Sequence, residues 1–350
     1  MSDFAVERRV ISTVSAHPNA DRLDLCTVSG LSFQFVTGRN EYLVGDPVIY
    51  FPVDSLLPEW LIETMGLVGR LSGSQKNRVK TVKLRGEISQ GLVASFDTLP
   101  LDEVITEQTD YTDILGVTKY EPPIVQCNNA NLHRLPEGVS TYDIQGADRH
   151  IAALVEFGNQ DVLITEKLEG QHYSITLDGD AVHVCQRNHE IIPKEGGEHV
   201  LIRVTREQGI IEAVDALRTR LGVDWLTLRG EAIGPGIQKN IYGLSTVQIR
   251  FFDILTKDGY LPGQTFLDLA DEVSLKIVPC LYVGELSEYA GLKAMVTIQD
   301  ASTGNSALVP SILREGIVIR PYLTERRSEI LKGRLIIKQR SPEYLATNNF

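Results

Sequence analysis

The chain has little cysteine: Cys26, Cys127, Cys185 and Cys280 are all it holds in 350 residues. They lie far apart. That spacing excludes a zinc-ligand pattern and a disulfide framework, and a reducing cytoplasm is the expected compartment. No apolar run is long enough to cross a bilayer. The first residues, Met1-Ser2-Asp3-Phe4-Ala5-Val6-Glu7-Arg8-Arg9, lack the apolar core and cleavage site of a secretory leader. Nothing in the sequence indicates a membrane or a protein partner. Positive charge is also scarce. Lys and Arg number 34 against 46 Asp and Glu, a net charge of −12. A uniformly basic surface for nucleic acid is therefore excluded, whereas a local basic groove is not. Internal repeats and low-complexity tracts are absent.

What is present suffices for two domains, each with its own core. Residues 1–118 read as short strands at 10–14, 23–28, 33–37 and 47–51, separated by Gly and Asn, which suggests a small barrel. Between 70 and 85 come six basic residues with no acid among them: Arg70, Lys76, Arg78, Lys80, Lys83 and Arg85. They suit either a solvated sheet edge or a surface that tracks phosphates. Acids and turn residues follow: Asp102, Glu103, Glu107, Asp110, Asp113 and then Glu121-Pro122-Pro123. We place the domain boundary there, giving 1–120 and 121–350. Residues 126–150 offer no clear pattern. Helices are expected over 205–221, capped by Gly222, over 267–273, and more weakly over 286–296. The second domain is thus α+β, and its strands carry the chemistry-bearing residues.

The chain is organised around Thr165-Glu166-Lys167-Leu168-Glu169-Gly170. It closes an apolar run, Val162-Leu163-Ile164, and precedes an alternating one, Tyr173-Ser174-Ile175-Thr176-Leu177. Lys167 therefore stands where a strand gives way to a turn, and Gly170 is expected to supply the backbone freedom that turn needs. A Lys-x-x-Gly alone means little. Downstream, however, come Arg187-Asn188, Leu228-Arg229-Gly230-Glu231-Ala232-Ile233-Gly234, Ile249-Arg250-Phe251-Phe252-Asp253-Ile254, Glu315-Gly316-Ile317-Val318-Ile319-Arg320 and Leu335-Ile336-Ile337-Lys338-Gln339-Arg340. Each sets charged or aromatic residues beside an apolar strand. Taken singly, Phe251 and Phe252 would be core residues, Glu231 a strand-edge acid, and Lys338 with Arg340 a solvated strand face.

Six such motifs in this order resemble those of the covalent nucleotidyltransferases, the ligases and RNA-capping enzymes, over about residues 150–345. His17-Pro18-Asn19-Ala20-Asp21-Arg22-Leu23, with Val36-Thr37-Gly38-Arg39-Asn40 and Gly45-Asp46-Pro47-Val48, resembles the OB-fold tRNA-binding domains attached to some synthetases. The resemblance implies an N-terminal β-barrel of OB type followed by an antiparallel-sheet nucleotidyltransferase domain. It implies a lysine that attacks the α-phosphate of ATP, expels pyrophosphate and carries AMP. Such a lysine reacts as the neutral amine, although its unperturbed pKa is ~10.4. By that resemblance Lys167 is the nucleophile. Glu166, Lys167 and Leu168 line the nucleotide, with Glu166 meeting the adenine edge through its backbone. Arg187 and Glu231 hold the ribose and its phosphate, and Asn188 also belongs to the ATP-binding set. Phe252 stacks on the base, with Phe251 as the alternate. Lys338 and Arg340 neutralise the α-phosphate. Glu169, Glu231 and Glu315 hold Mg2+ or Mn2+ through water.

Glu169 and His172 occupy positions where DNA ligases and capping enzymes commonly have Asp, and DNA ligases Arg. Only 10 residues follow Arg340, and the barrel comes first. An N-terminal OB domain before the ligase domain resembles the nick-sealing RNA ligases of the Deinococcus type, the fifth RNA ligase family. The substrate that follows is a nicked RNA or RNA–DNA duplex with RNA on the 3′-hydroxyl side. Two rivals are a GTP-using guanylyltransferase and an RNA-binding module with an inactive second domain.

Overall fold

The computed structural model describes residues 4–99, 110–121 and 130–348. Asp102, Glu103, Glu107 and Cys127, used above, lie outside them. The chain divides into two compact units: Met1–Ile124 with Asp148–Ile151 and Leu345–Phe350, and Val125–Ala147 with Ala152–Tyr344.

In the first unit one long strand, Glu7–Ala16, organises an antiparallel sheet. The spatial order is Gln34–Gly38, Leu23–Val28, Glu7–Ala16, Pro47–Phe51, Leu92–Ser95. Its first half pairs with Pro47–Phe51 and its second half with Leu23–Val28. The register slips between Ile11 and Thr13, and an extra residue there bends a strand and lets a flat sheet curl. Strict alternation in Leu23–Val28 buries Cys26 and Val28, which join Ile11, Phe35 and Tyr50 in one cluster. Phe51 and Ile49 pack in a second cluster with Leu61 of the short helix Glu59–Thr64. A small hairpin, Val82–Leu84 with Glu87–Ser89, turns on Arg85-Gly86. Both turn residues have positive φ, 50° and 100°, as the tight two-residue hairpin turn requires.

The second unit is built on two sheets. A seven-stranded sheet runs Ala130–Arg134, His189–Pro193, Ala181–Cys185, Gln171–Asp178, Trp225–Ile233, Gln248–Thr256, Gly259–Tyr260. A five-stranded sheet runs Gln145–Gly146, Ile337–Arg340, Gly316–Pro321, Asp161–Lys167, Cys280–Glu285, antiparallel except for the first pair. On one face of the larger sheet Tyr173, Ile175, Leu177, Leu226 and Leu228 pack against Val214 and Leu217 of a helix. Each such buried aliphatic side chain contributes about 1.5–3 kcal/mol.

The helix expected over 205–221 is two helices, Val200–Glu207 and Ile210–Leu221. Gly209 breaks them apart in the left-handed region at φ 63°, and Gly222 caps the second at φ 67°. The next expected helix is longer than its apolar pattern, Gly263–Glu272. The weak one, Leu286–Ala294, is 3-10 and interrupted by non-helical residues at Tyr289, Ala290 and Gly291.

Candidate active site

Asp161–Lys167 is buried along its middle, flanked by Gly316–Pro321 and Cys280–Glu285. The strand before Lys167 and the one after it lie in different sheets. Residues 168–170 are thus no hairpin turn but a crossing from the smaller sheet to the larger, and Lys167 sits at its start. Lys167 faces Gly316 across the ladder, and Gly316 faces Arg340. A Cβ on Gly316 would stand 2.1 Å from the Gln339 carbonyl oxygen, and one on Gly170 would stand 2.3 Å from that of Ala232. Gly170 does not occupy the positive-φ region. Its requirement is close backbone approach, not the turn angles expected from the sequence.

Strand alternation sends Thr165 and Lys167 to one face and Glu166 to the other. Glu166 is buried, its Oε2 accepts from the Ala307 amide at 2.7 Å, and its own amide donates to the Pro279 carbonyl at 2.9 Å. The Glu166 carboxyl, raised by burial, secures the loop before Glu315 and lies away from the lysine. Leu168 is buried beside Ile233, Tyr242 and Val278, with Phe252 packed against that cluster.

The acids gather at the crossing. Lys167 Nζ pairs with Glu315 Oε2 at 2.7 Å. Glu231 comes from the larger sheet, opposite His172. Burial pushes its carboxyl up to about 8, Glu315 and Glu169 add to the rise, and Lys167 opposes it. Glu169 is also raised, by burial and then by Glu315. The Lys239 amide and the Lys167 ammonium oppose that rise, and both carboxyl oxygens are buried. Among the described residues no set of three His, Cys, Asp or Glu side chains is placed to ligate a metal ion directly. A buried carboxylate raised by a neighbouring acid, with a third acid beside it, nevertheless fits a hydrated cation, because buried like charge is costly without a counterion.

Lys338 and Arg340 share a face two residues apart. Burial, then Lys167, then Arg340 bring the Lys338 ammonium down to about 8. A cation already strained by its neighbours is well suited to an incoming phosphate. Arg187 and Asn188 are exposed in the turn after Ala181–Cys185. Arg187 pairs with Asp143 at 3.4 Å, and Asn188 accepts from the Thr141 hydroxyl at 3.2 Å.

The choice between Phe251 and Phe252 turns on a β-bulge. Arg229 faces Asp253 while Gly230 faces Phe251, leaving Phe252 as the extra residue. Phe251 goes into the core, edge-on to Tyr173 at 6.2 Å. Phe252 stays half-exposed on the other side. The bulge also aims Asp253 at a buried charge network, a role not read from the motifs. Asp253 is fully buried and accepts from Arg320 at 2.9 Å, Arg334 at 2.7 Å and the Tyr142 hydroxyl at 2.8 Å. Burial raises its pKa, but the two guanidiniums outweigh that and hold the carboxyl below its usual value. An acid amid an apolar strand run was the available signal, since buried charge demands partners. Tyr142 had no such signal. His172 is held neutral, pushed down to about 3 by burial, then by Arg229 and Arg187, so it cannot supply the charge of an arginine there.

In the first unit the six basic residues between 70 and 85 do not share one environment. Arg78 donates to Asp54 from Nε and Nη2, at 3.0 and 2.7 Å. Its guanidinium also lies 3.5 Å from the Tyr120 ring centroid. That residue is committed to packing. Lys80 is half-buried and engaged in an interaction of its own. Arg70 and Lys76 are exposed in the preceding loop. Lys83 and Arg85 are exposed at the hairpin tip, which His17 Nε2 and Asn19 Nδ2 hold at the Leu84 and Arg85 carbonyls, both at 3.0 Å.

No helix among the described residues is long and apolar enough to cross a membrane. Residues 160–338 match the RNA ligase family model, and residues 5–96 match an OB-fold domain model. Comparison with curated proteins returned no match. Among solved structures, a Naegleria gruberi RNA ligase with pyrophosphate is similar at TM-score 0.78 and 27% identity, covering 98% of each chain. A variant of that ligase with ATP and Mn gives TM-score 0.80 and 27% identity, covering 98% of this chain and 99% of that one. Another variant, with AMP and Mn, gives TM-score 0.79 and 27% identity, covering 98% of each.

Proposed function

The chain belongs to the RNA ligase family, and from that premise we propose that it is an ATP-dependent ligase that seals 3′-hydroxyl/5′-phosphate nicks through a lysyl–AMP. The observation that carries this reading is Lys167, placed where two sheets meet, paired with Glu315 at 2.7 Å and neighboured by Lys338 and two further acids. We assign three steps. Lys167 Nζ attacks the α-phosphorus of ATP, a P–N bond forms, and the P–O bond to pyrophosphate breaks. A 5′-phosphate oxygen then attacks the same phosphorus, a P–O–P bond forms, and the P–N bond breaks to return the Lys167 amine. Finally a 3′-hydroxyl attacks that 5′-phosphorus and AMP leaves.

Transfers of this kind depend on positioning and charge neutralisation. Lys338 and Arg340 take the α-phosphate charge, Arg187 and Glu231 hold the ribose and its phosphate, Asn188 belongs to the same ATP-binding set, and Phe252 carries the base. Glu166 and Leu168 contribute their backbone along the nucleotide. Glu169, Glu231 and Glu315 would hold a hydrated Mg2+ or Mn2+, whose charge supplies further stabilisation to the phosphate oxygens. The N-terminal OB placement supports the Deinococcus-type branch, and with it a requirement for RNA on the 3′-hydroxyl side. Sealing assays on four matched nicks, RNA or DNA on each side, test that. Sealing is expected only with RNA at the 3′-hydroxyl strand, and equal sealing of an all-DNA nick contradicts it.

The exposed cations of the first unit provide the duplex contact. Removing Lys76, Lys83 and Arg85 together should reduce the slope of log affinity against log salt by about 2–3 and weaken nick binding, because each phosphate contact releases about one counterion. Adenylylation by ATP should be unchanged. A filter-binding salt series checks this, and an unaltered slope leaves those residues as a solvated edge.

A further inference from the structure

Residues 140–147 run from the larger sheet of the second unit to the smaller. At one end the Ser140 carbonyl accepts from Arg229 Nη2 at 2.9 Å. At the other, Gln145–Gly146 pairs in parallel with Ile337 and Lys338. Between these anchors the Tyr142 ring lies 5.1 Å from that of Phe252, tilted by 42°. It lies nearly parallel to His172, at 5.8 Å and 16°. Its hydroxyl donates to Asp253 at 2.8 Å, and the Arg229 guanidinium stands 5.1 Å from its centroid.

We infer that Tyr142 is a positioning residue for ATP: it backs the Phe252 ring and fixes the plane on which adenine stacks. The inference rests on the base-stacking role proposed for Phe252. Phe252 is the extra residue of a bulge and has no ladder partner, so side-chain packing must fix its orientation. Tyr142 can supply that packing because it is itself fixed. Asp253 holds its hydroxyl, and Arg320 and Arg334 hold Asp253. The two rings are already at contact distance for an aromatic pair. A base cannot enter between them, so it takes the far face of Phe252. The neutral imidazole of His172 completes a three-ring cluster, 5.8 Å from Tyr142 and 6.0 Å from Phe252, without bringing charge to the stack.

The test is the rate of self-adenylylation against ATP concentration. Y142L should raise the ATP concentration at half-maximal rate about tenfold, the scale of a lost aromatic contact, with the maximal rate within about threefold. Y142F keeps the ring but loses the hydroxyl that Asp253 holds, so its ATP requirement should fall between those of the parent and Y142L. F252L should resemble Y142L, and the double variant should be no worse than F252L alone, because both act through one ring. An unchanged ATP requirement in Y142L overturns the inference. So does a lowered one, which would mean that Tyr142 fills the base's place, and so do additive losses in the double variant. If Y142L melts far below the parent, Y142M is measured in its place and read identically. Absence of labelling in the parent protein would instead sink the proposed function.

Discussion

Lys167→Ala abolishes adenylylation by ATP while leaving sealing of a pre-adenylylated nick in place. That is the expected result if Lys167 Nζ is the atom that becomes bonded to phosphorus. Alanine offers no nucleophile, so the first step is lost by many orders of magnitude. In the third step the attacking atom is the 3′-hydroxyl and AMP is the leaving group, so the remaining site still positions and neutralises the phosphate. A residual rate within about 10–100-fold of the parent is expected there, the loss being one cation's share of transition-state stabilisation. The two activities are compared on one enzyme preparation, with and without the adenylate on the nick. Equal loss of both would make Lys167 a general phosphate ligand. Retention of full ATP labelling would remove it from the chemistry.

Glu231→Gln is expected to stabilise the protein without metal and to disable it as an enzyme. The Glu231 carboxyl is ordinarily near 4.5 and is pushed up to about 8. Between those values the folded chain keeps a proton that the unfolded chain has released. The folded state therefore binds more protons, and wild-type stability falls as pH rises through this window. A shift of that size corresponds to several kcal/mol at ~1.4 kcal/mol per unit, and the solvent contact that a half-buried residue keeps reduces it to about 1–2 kcal/mol. Glutamine cannot ionise. The variant's melting temperature without divalent metal should therefore match wild type near pH 4.5 and exceed it by several degrees above pH 8. Adding Mn2+ should stabilise wild type more than the variant, since a ligand stabilises the state that binds it. Adenylylation should fall about 100-fold or more, the scale of a lost group that stabilises transition-state charge. A destabilised variant at high pH would assign Glu231 a structural role.

The parts of this fold that follow from local chemistry were legible in the sequence. Leu23–Val28 and Pro47–Phe51 lie where alternation and flanking turns place them. So does the Gly222 helix end, because a left-handed cap is a one-residue requirement. Gly209 carried the same information, yet the apolar stripe running through it suggested one helix where there are two. At the candidate site, the identities of Lys167, Glu231, Glu315 and Lys338 came from motif order, and the structure gathers their charges in one place. The separation of Phe251 from Phe252 needed a register slip that no local pattern announces. Tyr142 was invisible for a different reason. It lies in a stretch without periodicity, held by pairing with residues almost two hundred positions away. Arg78 is the converse case. A run of cations with no acid among them reads as one stretch, but the Asp54 and Tyr120 that pair with Arg78 are distant in sequence.

The most direct measurement of the central claim is a labelled-AMP map. The protein is incubated with ATP labelled at the α-phosphate and Mn2+, denatured, and tested for acid and alkali lability before proteolysis. A covalent label that survives alkali, is lost in acid, and resides in the peptide containing Lys167 is the predicted result. A label on any other residue, a label obtained with GTP but not ATP, or none at all, contradicts it.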